Sequence, residues 1–341
     1  MSRRSERGFA ALGAIGAIGA LLVVLAAPRD ALTGWLGAAS FVAGLPAGAL
    51  MLLLMMPMIS GKWIEDLRGP ARLLGALWPL AALAFVPVLI GMAAIYPWFG
   101  AQPHSAFAGV WLNPLFFAAR TVGWFVLAWF VAARAAAPMR EGIAAGLLIA
   151  VVLADNFAAT DWLMTLDPEL ASSAFGAQVI ALDVCAGLAA MILLRLAAGR
   201  PRHTGVLGGL LLTLLLLWAY FQFMPFLIVW SGNLPDGVGW YLARRSSGWV
   251  AAIVAAAVLG GVPLFALFAP QVRQSPRWLG WCAMAVLAGK AIEFAWLALP
   301  GRGAMAVLAW LLALAGLGCL AVAALLRAAR LAEALGLDPR T

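Results

Sequence analysis

Charge is what this chain of 341 residues has least of: Asp, Glu, Lys and Arg together make up 11%. Soluble domains carry about a quarter charged residues, so a soluble globular fold is excluded. Histidine is scarcer still. The two present, His104 and His203, fall in loops, whereas a membrane b-type haem takes axial histidines from spanning helices. A haem-bearing cytochrome b is therefore disfavoured. The three cysteines, Cys185, Cys282 and Cys319, sit inside apolar runs with no CxxC and no paired spacing. They read as small buried residues rather than redox or metal ligands. A Gly-rich phosphate loop, a metal cluster and a nucleophile elbow are all missing. The net charge of +8 suits cytoplasmic loops of a membrane protein and not nucleic acid.

What is present is apolar. Hydrophobic residues make up 65% of the chain and mean hydropathy is +1.00, which predicts an all-α, polytopic integral membrane protein. A crossing takes about 20 apolar residues. Ten windows qualify, at roughly 8–27, 33–58, 73–98, 113–136, 141–163, 173–198, 204–230, 247–270, 277–298 and 303–327. The connections are short, so residues 1–341 read as one ten-helix membrane domain. The first window is long enough to span and does not read as a cleaved signal. Pro46, Pro57, Pro79 and Pro87 interrupt the second and third spans, which neighbouring helices can accommodate. "GLPAG" at 44–48 reads as helix-packing sequence.

Basic residues orient the chain. With the N-terminus in the cytoplasm, sixteen fall in inside segments and four (Arg29, Arg244, Arg245, Arg302) in outside ones. That bias predicts cytoplasmic N- and C-termini and outward-facing loops at 99–112, 164–172 and 231–246.

Six charged residues stay in or at the ends of spans: Arg120, Asp155, Asp161, Asp183, Lys290 and Glu293. Each is a site hypothesis, because charge in hydrocarbon is costly. At a rise of about 1.5 Å per residue, Asp155 lies about 21 Å up its span from the cytoplasmic side. Asp183 lies about 15 Å, and Arg120 about 10 Å, down from the outside. All six collect between the midplane and the outer face, which predicts an outward-opening polar cavity or half-channel. Plainer readings stand beside this one. Lys290 and Glu293, three residues apart, can neutralise each other. Asp161 can be an interfacial cap, and Arg120 can snorkel or pair with an acid. Asp155 and Asp183 are too short to reach an interface. Buried carboxyls of this kind can take and give protons, for a quinol or for a proton-coupled transporter. Asn156 and Thr160 would extend such a path.

Two stretches at the outer ends of spans carry a resemblance. "TDWLMTLDPELASSAFG" (160–176) contributes Asp161, Trp162, Met164, Leu166, Asp167, Pro168, Ser172, Phe175 and Gly176. "YFQFMPFLIVWSGNLPDGVGWYLAR" (220–244) contributes Trp230, Gly232, Asn233, Pro235, Asp236, Trp240 and Tyr241. Both resemble the polysulfide-reductase NrfD-like membrane subunits, and within that family most the ActF-type subunit of alternative complex III, a quinol:electron-acceptor oxidoreductase. The resemblance implies ten helices with two four-helix bundles at the core, in a bacterial inner membrane. It implies no haem and no iron–sulfur cluster in this chain, nothing covalently bound, and quinone or quinol as the ligand. The implied partners are a second NrfD-like subunit, a periplasmic iron–sulfur subunit, a c-type cytochrome and a terminal oxidase, besides membrane lipid. Asp167, Glu169, Asn233, Asp236, Trp240 and Tyr241 would form the periplasmic docking surface. The pattern departs at Glu169–Leu170, where the family carries His-Trp, and loops and tail are trimmed, as in a divergent paralogue.

The leading expectation is a membrane subunit of a respiratory quinol-oxidising complex, non-catalytic or quinol-interacting. Asp155, Asp161 and Asp183 would then move protons, tuned by Arg120 and by Lys290–Glu293. A proton-coupled secondary transporter is the alternative, for which inverted repeats would speak. A cofactor-free scaffold or assembly subunit of an oxidase is the third.

Overall fold

Among the described residues, ten helices are long and apolar enough to cross a membrane: α1 Arg3–Leu25, α2 Pro28–Met55, α3 Trp63–Ile90, α4 Pro114–Ala135, α5 Glu141–Leu166, α6 Phe175–Ala197, α7 Thr204–Gly232, α8 Ser247–Ala266, α9 Pro276–Ala298 and α10 Ala304–Ala334. They belong to a computed structural model that describes residues 3–102, 105–135, 137–167, 170–232 and 235–334, without the side chains of Pro235 and Asp236. The fold is all-α, as composition requires. A short helix, Pro235–Leu242, links α7 to α8, and another, Ala106–Trp111, precedes α4.

One span differs from expectation. α3 begins at Trp63, about ten residues before the sequence window at 73, and its apolar part is broken. The charged stretch "WIEDLRGPARLL" lowers any hydropathy average, yet it is helical because it has tertiary partners. Asp66 is fully buried. It accepts from Arg195 Nε at 2.9 Å and from the backbone N–H groups of Arg202 (2.9 Å) and His203 (2.8 Å). A hydrophobicity window sees only the cost of that carboxylate, not the three donors that offset it. Further along, α3 falls into short pieces that restart at Trp78 and Val86, each with proline in its first turn. Proline has no N–H to give the preceding turn but fits the start of a helix.

α2 is the axis of the molecule. Every residue from Ala31 to Leu54 is buried, and α2 packs against α3, α5, α6, α9 and α10. Small residues permit this. A Cβ on Gly44 would collide with the Asp183 carboxyl, and one on Gly48 with the Asp183 carbonyl. Gly187 of α6 faces Gly48 and Ala49 in return. The two backbones therefore approach as in small-xxx-small membrane contacts, and "GLPAG" has the packing role expected of it. α1 lies at the periphery, held to α10 where Gly13 and Gly16 meet Gly316 and where Glu6 pairs with Arg330. Outward faces of α4 (Val122, Val126, Phe130) and α8 (Val254, Val258, Val262) are apolar and exposed, which suits hydrocarbon surroundings.

The helix ends sort into two faces. One, here the loop end, gathers residues 95–102, 105–113, 162–167, 170–174, 235–246 and 296–303. There Tyr96 Oη donates to the Trp162 carbonyl (3.2 Å), Arg302 Nη2 to the Ile95 carbonyl (3.3 Å), and the Gly303 amide to Asp30 (3.0 Å). The other, the basic end, holds the Asp66–Arg195 clamp and the exposed Glu65–Arg202 pair.

Candidate functional site

The six charges picked out within spans fall into three clusters, all in the loop-end half. The first joins α4 to α5. Arg120 donates through Nε to Asp161 Oδ2 (2.6 Å) and through Nη2 to Asp161 Oδ1 (2.9 Å) and the Trp111 carbonyl (2.9 Å). The Trp111 indole N–H donates to the same carboxylate at 3.0 Å. The guanidinium also lies over the Trp111 ring (4.1 Å) and the Phe116 ring (4.3 Å). A fork-on-fork pair stacked on aromatics is rigid. Asp161 is thus an arginine-bound carboxylate, and Arg120 pairs with an acid rather than snorkelling. Burial and then the Asp161 charge push the nearby Tyr96 phenol well up, so it stays a donor to the Trp162 carbonyl.

The second cluster is different in kind. Asp155 of α5 and Asp183 of α6 are 3% and 4% exposed. Their carboxyl groups face each other within hydrogen-bonding range, and the Trp124 indole sits beside Asp155. Together with Ser40 they line a cavity of about 10 Å³, walled by Trp124, Trp162 and Phe294. That is about the room one water needs. Asp155 Oδ2, Asp183 Oδ1 and Ser40 Oγ are buried without a hydrogen-bond partner among the described residues. No cation pairs with either acid among those residues. A hydrogen bond between two carboxyls requires a proton on one of them. The arrangement can therefore hold a proton and pass it between two helices.

The third cluster is closed. Lys290 and Glu293 of α9 are fully buried and pair at 2.9 Å. The Trp218 indole of α7 donates to both Glu293 oxygens (3.0 and 2.9 Å), and the Lys290 ammonium sits 3.3 Å from the centre of the Trp218 ring. The mutual neutralisation suggested by the i,i+3 spacing is what the geometry shows. Cys185 donates to the Leu214 carbonyl nearby, a buried small residue with its one donor used.

Below these clusters α5, α6 and α9 are apolar. From Asp183 to Arg195, about 18 Å of α6, every residue is apolar. The same holds between Glu141 and Asp155 on α5 and between Arg277 and Lys290 on α9. The charged groups of α5, α6 and α9 thus lie in the loop-end half of their helices.

Toward the loop end the first cluster adjoins two cavities. One of about 220 Å³ is lined by Arg120, Asp161, Trp124 and Trp162; the last two also wall the Asp155–Asp183 cavity. The other, about 610 Å³, has aromatic walls (Trp98, Phe107, Trp111, Phe157) and the polar groups Asn156 and Thr160. Asn156 and Thr160 line this cavity, and Thr160 donates its hydroxyl to the Asn156 carbonyl at 2.9 Å.

Of the expected docking residues, Asp167, Trp240 and Tyr241 are described, and all three lie at the loop end near Arg244. Asp167 lines the 610 Å³ cavity. Trp240 is buried, edge-on to Trp296 at 5.1 Å, and Tyr241 packs on Phe226. Glu169, Asn233 and the Asp236 side chain lie outside the described residues. Four participants escaped sequence reading. Ser40 and Trp218 are unmarked positions within apolar spans, and Asp66 falls between two of the sequence windows. Arg244, counted as a loop arginine, is buried: it donates to the carbonyls of Trp240 (2.8 Å), Leu297 (3.0 Å) and Trp296 (3.3 Å) and stacks on Trp240 at 3.6 Å. Burial pulls its guanidinium down to about 9, opposed by Asp167 and Tyr241, and it stays cationic at neutral pH. Burial likewise pushes the Tyr241 phenol up to about 12. The aromatic pair around "WYLARR" was the available signal, since arginine stacks readily on tryptophan.

Compared with known proteins, the chain matches no protein-family model and no curated protein.

Proposed function

We propose that this chain is an NrfD-like membrane subunit of a quinol-oxidising respiratory complex, in which the Asp155–Asp183 pair receives protons released by the quinol. On this reading α2–α9 form two four-helix bundles in a bacterial inner membrane. The basic end with both termini faces the cytoplasm, and the loop end faces the periplasm. The observation that carries the reading is the pair of buried carboxyls with no compensating cation beside a water-sized cavity. An acid pair is expensive to keep inside a membrane protein and does nothing for packing, so a chemical role is the economical explanation.

Quinol oxidation releases two electrons and two protons. On this reading the electrons pass to a redox cofactor of a partner iron–sulfur or c-type cytochrome subunit. The aromatic 610 Å³ cavity is of a size and character to take the ring. Asp161 is a poor proton acceptor because Arg120 and Trp111 already hold its oxygens. Its part is electrostatic: with Arg120 it forms a fixed, nearly neutral wall. The Asp155–Asp183 pair, one Trp124–Trp162 layer further in, takes no donor from the described residues at Asp155 Oδ2 and Asp183 Oδ1; already sharing one proton, it accepts one of the two released, and the other leaves directly to the loop side. With the basic half of α5, α6 and α9 apolar, the proton returns to the loop side in this conformation.

The test is purification in mild detergent with assays of quinol oxidation and proton release. Co-elution with an iron–sulfur or c-haem subunit is expected. Asp155→Asn and Asp183→Asn should each suppress turnover and proton release while the complex stays assembled. Wild-type turnover and proton release in both variants would remove the pair from the mechanism. Solute uptake by the isolated chain in liposomes, driven by a proton gradient, would establish a transporter instead.

A further inference from the structure

A separate cavity of about 490 Å³ shares no lining residue with those above Arg120 and Asp161. It lies between α7 and α8 under the short helix Pro235–Leu242. α8 packs closely on α9 but touches α7 little, and the gap opens sideways. Phe223 and Phe226 of α7 and Val250 of α8, at its rim, are exposed. Both helices are outer elements of the bundle, with most of their surface uncovered. A lateral apolar opening on a membrane helix pair faces acyl chains.

The loop-end mouth is charged. Arg244 and Arg245 both line it. Arg244 is locked by its three carbonyls and by Trp240, so its charge is fixed in position at no further ordering cost. Arg245 is exposed and makes no ion pair among the described residues. Two residues on, α8 starts at Ser247, and Ser246 makes no side-chain cap to its first turn. That start adds a positive dipole end to the two guanidinium groups. Polar and charged groups at the mouth and hydrocarbon below match an amphiphile with an anionic head. The Gln178–Gln222 hydrogen bond (2.7 Å) closes the inner wall by satisfying one amide with the other.

We propose that this cavity is a seat for one anionic phospholipid of the surrounding bilayer. Its phosphate lies against Arg245 and the start of α8, under the field of Arg244, and one acyl chain lies between α7 and α8. The proposal does not depend on the quinol reading. It implies that α7 and α8, which scarcely touch, are bridged by lipid.

The full chain, purified in mild detergent, is extracted with organic solvent and its phospholipids are counted per protein. Its melting temperature is also compared in nanodiscs of phosphatidylglycerol and of phosphatidylcholine. The wild type should retain about one anionic phospholipid per chain and melt higher in phosphatidylglycerol. Arg245→Gln, at an exposed position, should cut retention about fivefold, the effect of one basic group near an anionic head, and shrink the difference between the two lipids. Ile253→Trp, which fills the apolar part, should displace the lipid with Arg245 intact. Arg29→Gln, an exposed arginine at the same end, should change nothing. Equal retention in wild type and Arg245→Gln would overturn the proposal. So would recovery of a stoichiometric isoprenoid quinone that Ile253→Trp expels while phospholipid is unchanged; the cavity would then belong to a neutral ring.

Discussion

Lys290–Glu293 and Asp155–Asp183 are both buried ionisable pairs at similar depth, yet they solve the burial problem in opposite ways. Glu293 has an ammonium at 2.9 Å and one indole N–H shared by its two oxygens, and Lys290 has the face of Trp218 as well. Little capacity is left over. Asp155 and Asp183 have each other, a small cavity and unpartnered oxygens. Spacing on the chain already suggests that Lys290 and Glu293 neutralise each other, but it does not show that Asp155 and Asp183 meet. Partner geometry separates a site that holds helices together from one that can still accept something.

The sharpest way to break the comparison is to remove one side of the closed pair. Lys290→Met leaves the Glu293 carboxylate buried with only the Trp218 donor, and unfolding in detergent should show a loss of about 3–5 kcal/mol. The double variant with Glu293→Gln should recover most of it, because two neutral groups need no counter-charge. A loss below about 1 kcal/mol in the single variant would mean that water reaches the pair. The basic-end clamp comes next. Asp66→Asn weakens the bond from Arg195 and swaps a charged acceptor for a neutral one, with an expected cost of about 2–3 kcal/mol and faster proteolysis at the 198–203 turn. Gly44→Ala follows, at about 1–3 kcal/mol for a methyl forced against the Asp183 carboxyl. Turnover should fall with it, since the carboxyl must swing away from Asp155, whereas Gly123→Ala, with open space around it, should affect neither. The smallest stability effect belongs to the open pair. Asp155→Asn or Asp183→Asn keeps shape and hydrogen bonding while removing an acid, so unfolding should change by under about 1 kcal/mol in either direction, with proton chemistry lost. A large destabilisation there would make the open pair structural after all and erase the contrast.

Much of this was legible in the chain. A run of about 20 apolar residues has one low-energy solution in a bilayer, so all ten spans could be placed from composition. The exception, the start of α3, shows the limit: Trp63–Leu74 is helical because Asp66 finds Arg195 and two amides more than 120 residues away. Arg120–Asp161 was half legible. Both residues were marked, but 41 positions separate them and several acids could have answered the arginine. Ser40 and Trp218 were not legible, since each matters only through a neighbour on another helix.

The sequence by itself determined the class of protein, the number of helices and the half of each helix that carries charge. Hydrophobicity and helical rise are local properties, and they add along a chain. The cancellation of Lys290 by Glu293 is readable from their i,i+3 spacing on one helix, but only the tertiary structure decided which groups meet across helices, Arg120 with Asp161 and Asp155 with Asp183, because ion pairing falls off within a few ångströms. Gly44, one hydrogen where any other residue has a carbon, lets α6 approach α2 closely enough to bring Asp183 before Asp155. That contact turns two separately marked acids into one site.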